Sequence, residues 1–141
     1  MAQRDIKARL AVPADSDFIQ RECRLPSDVV RRKVEWHEVI VGETRGRLVG
    51  VMCLEYLWSR VPVIALIHVS PEHRCRGVGK ALLGHAEEFL RGRGHTALYS
   101  SSQVDEAEPQ AWHRRVGFEE CGVLAGVNEG GVGELFFRKR L

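Results

Sequence analysis

Residues Val63 to Gly94, VIALIHVSPEHRCRGVGKALLGHAEEFLRGRG, decide how this chain is read. The stretch opens as an apolar run rich in Val and Ile and breaks at Ser70-Pro71. A polar loop follows, carrying Arg74, Arg76, Gly77 and Gly79. Beyond it Leu82, Leu83, Ala86, Phe89 and Leu90 recur three and four apart, the spacing of an amphipathic helix. Strand, glycine-rich turn and helix in that order describe an anion site. Glycines let backbone N–H groups approach a phosphate, and a helix N-terminus adds unpaired donors and partial positive charge.

Working outward from there, Ile6 to Val12 alternates and predicts a strand that Pro13 ends. Asp15 or Ser16 caps a short helix through Phe18, Ile19 and Cys23. Pro26-Ser27-Asp28 starts a second helix with Val29, Val30, Val34 and Trp36 inward. His37 to Glu43 and Leu48 to Trp58 read as strands about a turn at Thr44–Arg47, with Gly46 at positive φ. Ser59 to Pro62 connects into the opening stretch.

Downstream of it, Gly92 and Gly94 stop the long helix. Thr96 to Ser100 predicts a short strand, parallel to Val63–Val69 because a helix separates them. Ser101 to Glu108 reads as a polar, acidic loop. Pro109 opens a helix that Gly117-Phe118 ends, and strands at Glu120–Ala125 and Glu134–Arg138 flank a turn at Asn128–Gly131. The expectation is an α/β, or α+β layered, domain: a mixed, mostly antiparallel sheet of about seven strands with helices on both faces.

Composition sets the bounds. At 141 residues, 44% hydrophobic and 28% charged, the chain is expected to form one domain over 1–141 with a real core. A net charge of +2 argues against a nucleic-acid binder, which would concentrate a basic face. The N-terminal MAQRDIKARL has no apolar core for a signal peptide, and no run suits a membrane span. Cys23, Cys53, Cys75 and Cys121 form no zinc-spaced cluster, so no metal is expected. Reduced thiols in a cytoplasmic protein are the reading, with Cys53 and Cys121 packed as small apolar residues.

R-C-R-G-V-G, Arg74 to Gly79, resembles the (Q/R)-x-x-G-x-(G/A) signature of the GCN5-related N-acetyltransferases (GNAT). The preceding I-H-V-S-P-E-H, Ile67 to His73, is similar to that family's strand-to-loop lead-in. W-H-R-R-V-G-F, Trp112 to Phe118, looks like its short helix ending in G-F. The element order fits over essentially the whole chain.

The resemblance implies acetyl-CoA as co-substrate. Backbone groups of Ile67 and Val69 would then pair with the pantetheine arm, the Val69 N–H lying near the thioester oxygen. Arg74, Cys75, Arg76, Gly77, Val78, Gly79 and Lys80 would hold the pyrophosphate, to which two arginines and a helix N-terminus are suited. His113 departs from the pattern, standing where the family often has a tyrosine that protonates the leaving thiolate. The family's frequent Asn is replaced near Glu106.

Acetyl transfer to an amine must remove a proton from a group whose pKa is near ~10 and stabilise a tetrahedral oxyanion. Candidates for the base are His68, on the strand beside the thioester site, Glu55, and a water held by Ser101 or Ser102. His113 is the candidate acid. Packing alternatives stand beside these: a hydrogen-bonded core His68, a solvated Glu55, and a His113 on the solvated side of its helix. Trp58 and Trp112 read as core. Asp105, Glu106 and Glu108 form an acidic loop, more simply a solvated one.

The function expected is N-acetyltransfer to a primary amine of a small molecule or protein by direct attack in a ternary complex. The alternative is a CoA-binding regulatory module of the same fold. A P-loop nucleotide binder is disfavoured, because G-x-x-x-x-G-K-[ST] is missing although Lys80 follows Gly79. No nucleic-acid or membrane partner is expected. A homodimer is the default, with Leu135, Phe136 and Phe137 either completing the sheet or meeting a second chain.

Overall fold

The computed structural model describes residues 5–141. Its elements are β1 (Ile6–Leu10), α1 (Ser16–Cys23), α2 (Ser27–Glu35), β2 (Val39–Thr44), β3 (Arg47–Leu57), β4 (Val61–Val69) and α3 (Val78–Gly92), then β5 (Ala97–Gln103), α4 (Ala107–Arg115), β6 (Glu119–Leu124) and β7 (Glu134–Arg140). The strands make one seven-stranded sheet in the order β1-β2-β3-β4-β5-β7-β6. β4 and β5 are parallel, at Val63 opposite Tyr99. The β1–β2, β2–β3, β5–β7 and β6–β7 pairs are antiparallel. The expected mixed, mostly antiparallel sheet is therefore observed. Residues 5–54 with 66–89 form one compact unit, and 55–65 with 90–141 form another.

In the first unit, turn chemistry fixes the β2–β3 hairpin. Arg45 and Gly46 have φ of 50° and 75°, the two left-handed residues of a tight reversal. The period-2 alternation of strands then sorts side chains by parity. Val39, Val41, Val51 and Cys53 join Phe18, Ile19 and Cys23 of α1 and Val30 and Val34 of α2 in one buried cluster. Gly42 and Gly50, paired across β2 and β3, belong to the opposite parity and lie against Val78 and Leu82 of α3. Helices thus cover both sheet faces in this unit, as expected. Asp15 precedes α1, but its carboxylate does not cap that helix. It accepts from Arg9 Nη1 at 2.7 Å and from the Val12 N–H at 2.8 Å.

In the second unit β7 lies between β5 and β6, and its Phe137 is fully buried. Leu135 and Phe137 therefore complete the sheet. β6 is the outer strand, and every one of its residues is exposed.

Several boundaries differ from the sequence reading. β1 stops at Leu10, and Val12 is exposed. Trp36 ends α2 facing out, over which the Arg32 guanidinium sits at 5.8 Å. β4 starts two residues earlier and takes in Pro62. Trp58 is no core residue: with Ser59 it forms a left-handed turn, φ 52° and 59°, and is 78% exposed. β5 runs on to Gln103, so Ser101 and Ser102 are strand residues and the acidic loop shrinks. α4 begins at Ala107, with Pro109 inside its first turn, where a missing N–H costs nothing. Cys121 is exposed, whereas Cys53 is buried as expected.

Candidate active site

The sequence from Ile67 to Lys80 lies wholly in the first unit. β4 ends at Val69, and the Ser70 N–H donates to the Val49 carbonyl at 2.8 Å, tying the strand end to β3. A single 3-10 turn, Pro71–His73, follows. The loop then alternates in hand. Arg74 is extended, Cys75 has φ 60° and Gly77 has φ 89°. Left-handed residues placed between ordinary ones turn successive N–H groups toward one concave side, the form of an anion nest. The left-handed region is costly for Cys75, which carries a Cβ, and free for Gly77.

α3 begins immediately behind this loop. Its first backbone bond is Ala81 N–H to Gly77 O at 3.0 Å. The amides of Val78, Gly79 and Lys80 are therefore left without an intrahelical acceptor. No acidic side chain stands in that first turn. Donors, dipole and the exposed Arg76 and Lys80 all favour an anion here. Arg74 Nε donates to the Val69 carbonyl at 3.0 Å. That bond pins the loop to the strand end.

Gly42 and Gly50 place the helix. A Cβ at residue 50 would stand 2.7 Å from Val78 Cγ1 and 3.2 Å from Leu82 Cδ1, so only glycine admits α3 at this depth. The sequence reading passed over both residues. Their signal was present, because a glycine isolated within a strand pattern marks close approach of another element.

His68 sits between Ile67 and Val69 with its side chain on the other face. Leu66, of the same parity, packs against the α1/α2 core cluster. His68 Nε2 lies 3.0 Å from Glu22 Oε2 of α1, with the two side chains 31% and 23% exposed. Glu22 had no sequence signal beyond its place on the flank of α1. The arrangement can hold a histidine in one orientation while its side chain stays partly exposed.

Glu55 and His113 belong to the second unit. Glu55 is an exposed β3 residue. His113 does not lie on the solvated side of α4; it is 4% exposed. Its Nδ1 is 2.7 Å from the Pro109 carbonyl, one turn earlier, and its Nε2 is 2.7 Å from Ser100 Oγ. A carbonyl only accepts, so Nδ1 carries the hydrogen and Nε2 accepts from the serine hydroxyl. The ring stacks on Phe137 at 4.5 Å and meets Trp112 and Phe118 edge-on. Burial pushes its pKa down, against the opposing pull of the Pro109 carbonyl and Glu134. A neutral ring with both nitrogens engaged has no free N–H to give. Ser102 Oγ is buried and has no hydrogen-bond partner among the described residues.

Among the described residues no cluster of His, Cys, Asp and Glu could hold a metal, and no helix is long and apolar enough to cross a membrane. The model of the acetyltransferase (GNAT) family matches residues 11–118. Streptothricin acetyltransferase from Streptomyces lavendulae is 33% identical over 90 residues, 63% of this chain and 48% of that protein. The chain thus spans about half the length of that curated relative. Among solved structures, the ribosomal-protein-alanine N-acetyltransferase from Brucella melitensis superposes with a TM-score of 0.81 at 24% identity, covering 95% of this chain and 99% of that one. A structure from Bacillus anthracis determined in complex with acetyl coenzyme A superposes with a TM-score of 0.67 at 18% identity, over 73% of this chain and 61% of that one. At these identities the likeness in three dimensions concerns the fold.

Proposed function

This chain belongs to the acetyltransferase (GNAT) family, and from that premise we propose that it moves acetyl from acetyl-CoA to a primary amine by direct attack in a ternary complex. The observation that carries the proposal is the nest of Cys75 and Gly77 set against the acid-free N-terminus of α3. In this reading the amides from Arg74 through Lys80, with Arg76 and Lys80, bind the pyrophosphate. Backbone groups of Ile67 and Val69 hold the pantetheine arm, and the Val69 N–H stabilises the oxyanion.

His68 is the favoured general base, because the Glu22 contact orients it on the strand that carries Val69. The amine nitrogen bonds to the acetyl carbon, its proton passes to His68, and the C–S bond breaks to release CoA thiolate, which solvent reprotonates. Glu55, and a water on Ser102, are the alternatives. The geometry of His113 favours a role in anchoring α4 over that of proton donor.

The acceptor is a small-molecule or protein amine, and the named activity of the Streptomyces lavendulae relative supports the former. No metal takes part. We place the reaction in the cytoplasm, with both units as one catalytic domain that the chain crosses inside β3 and β4. Exposed β6 is the edge for a homodimer.

One observation favours a CoA-binding module without efficient transfer: the fully engaged His113 stands where a proton donor often acts in the family. Calorimetric titration with acetyl-CoA and ATP, followed by thiol release against a panel of amines, separates the readings. Saturable acetyl-CoA binding with amine-dependent thiol release is expected. Tight CoA binding without turnover on any amine favours the module, and preference for ATP overturns both.

A further inference from the structure

We propose that Glu22 is the positioning residue of the reaction: its carboxylate fixes His68 in the tautomer that carries hydrogen on Nε2 and leaves Nδ1 as the proton acceptor. The inference rests on the reading of His68 as general base. Glu22 lies on α1, one residue before the helix ends at Cys23. Its Oε2 is 3.0 Å from His68 Nε2. Its other oxygen, Oε1, is 3.5 Å from Arg21 Nε, and the Arg21 guanidinium in turn sits 5.7 Å above the Phe18 ring. The carboxylate is therefore held from both sides.

A carboxylate accepts hydrogen bonds and does not donate them. Beside it, neutral imidazole places its hydrogen on Nε2, and the lone pair on Nδ1 is left for the incoming amine. The carboxylate also stabilises the imidazolium that forms once the proton has moved, and it keeps the ring from turning. Both side chains are only partly covered, so an amine can reach the ring. α1 thus acquires a task in the chemistry beyond packing its Phe18, Ile19 and Cys23 into the core.

The test is a double-mutant cycle on the full chain with Glu22→Ala, Glu22→Gln, His68→Ala and Glu22→Ala/His68→Ala, using whichever amine gives turnover. H68A is expected to lower kcat on the order of 10²-fold. E22A is expected to lower kcat about tenfold with KM for acetyl-CoA unchanged, and to cost nothing further when His68 is already gone. E22Q, which keeps an oxygen acceptor and the shape of the side chain, is expected to recover part of the loss. Nitrogen-15 spectra of His68 at alkaline pH supply a readout that folding alone does not move: the wild type shows the hydrogen on Nε2, and E22A shows a mixture of tautomers. Equal losses for E22A with and without His68, or an unchanged tautomer signal in E22A, overturn the role of Glu22. Wild-type kcat in H68A overturns the base reading itself, and the dyad with it.

Discussion

Gly50 and Val78 meet so closely that no side chain fits between them: a Cβ on residue 50 would lie 2.7 Å from Val78 Cγ1. The contact sets how deeply the first turn of α3 sits on the sheet, and that turn carries the amides proposed to bind pyrophosphate. Gly50→Ala is expected to push the turn outward, costing ~1–3 kcal/mol of stability, as overpacking does. KM for acetyl-CoA should rise several-fold while kcat at saturation changes little. Gly42→Ala, whose Cβ would meet Val78 at 3.4 Å, should do less. Urea unfolding and initial rates check both.

The loop itself is tested at Arg76 and Gly77. Arg76→Ala removes an exposed guanidinium beside the nest and should weaken acetyl-CoA binding by about 1–2 kcal/mol, an effect that shrinks as salt rises. Gly77→Ala places a Cβ at φ 89° and should weaken binding through strain of roughly 1–2 kcal/mol. Calorimetry with acetyl-CoA at two ionic strengths measures each. Unchanged affinity in both variants would remove the pyrophosphate assignment.

His113 gives a pH dependence of stability. Burial holds its folded pKa below the unfolded value of 6.5. The unfolded chain therefore takes up a proton that the folded chain refuses, so this stabilisation is complete above pH ~6.5 and is lost as pH falls below it. His113→Phe should flatten that acid limb in urea titrations. It also leaves the Ser100 hydroxyl and the Pro109 carbonyl without their partner, at a cost of ~1–3 kcal/mol. If His113 anchors α4, the folded variant keeps kcat close to wild type. A loss on the order of 10²-fold would instead restore it as proton donor.

The β6 edge bears on assembly. Val123 and Leu124 are 61% and 51% exposed on a strand with one neighbour. An open strand edge pairs readily with another chain. Val123→Glu together with Leu124→Glu is expected to convert a dimer to monomer by light scattering, with the melting temperature of the monomer little changed. A wild-type monomer at micromolar concentration would contradict the homodimer.

Much of this architecture was legible from residue pattern because local signals and tertiary packing agree there. The Arg45-Gly46 turn, the alternation in β2 and the three-four spacing of Leu82, Leu83, Ala86 and Leu90 each point to the element observed. The misses have physical causes. Ser59 to Pro62 was read as a connection, but Pro62 sits near the start of β4. Trp58 and Trp36 were read by residue type, whereas a left-handed turn and a helix end turn them outward. Ser101 and Ser102 were read as loop because they are polar, yet β5 alternates partly and fully buried positions through both of them.

At the site, the glycine-rich loop was readable because backbone geometry demands particular residues at fixed spacing. The Glu22–His68 contact was not readable, since 45 residues of intervening chain hide a meeting that only the packing of α1 beside β4 creates. The burial of His113 was hidden for the same reason. Its partners Ser100 and Phe137 come from β5 and β7.

The central claim is direct acetyl transfer to an amine at this loop, and bisubstrate initial-rate kinetics with mass analysis of the acceptor tests it most directly. The account predicts intersecting reciprocal plots for acetyl-CoA and amine, and a product heavier by one acetyl group. Parallel plots with acetyl found on the protein, or no acetylated amine from any acceptor under saturating acetyl-CoA, would contradict it.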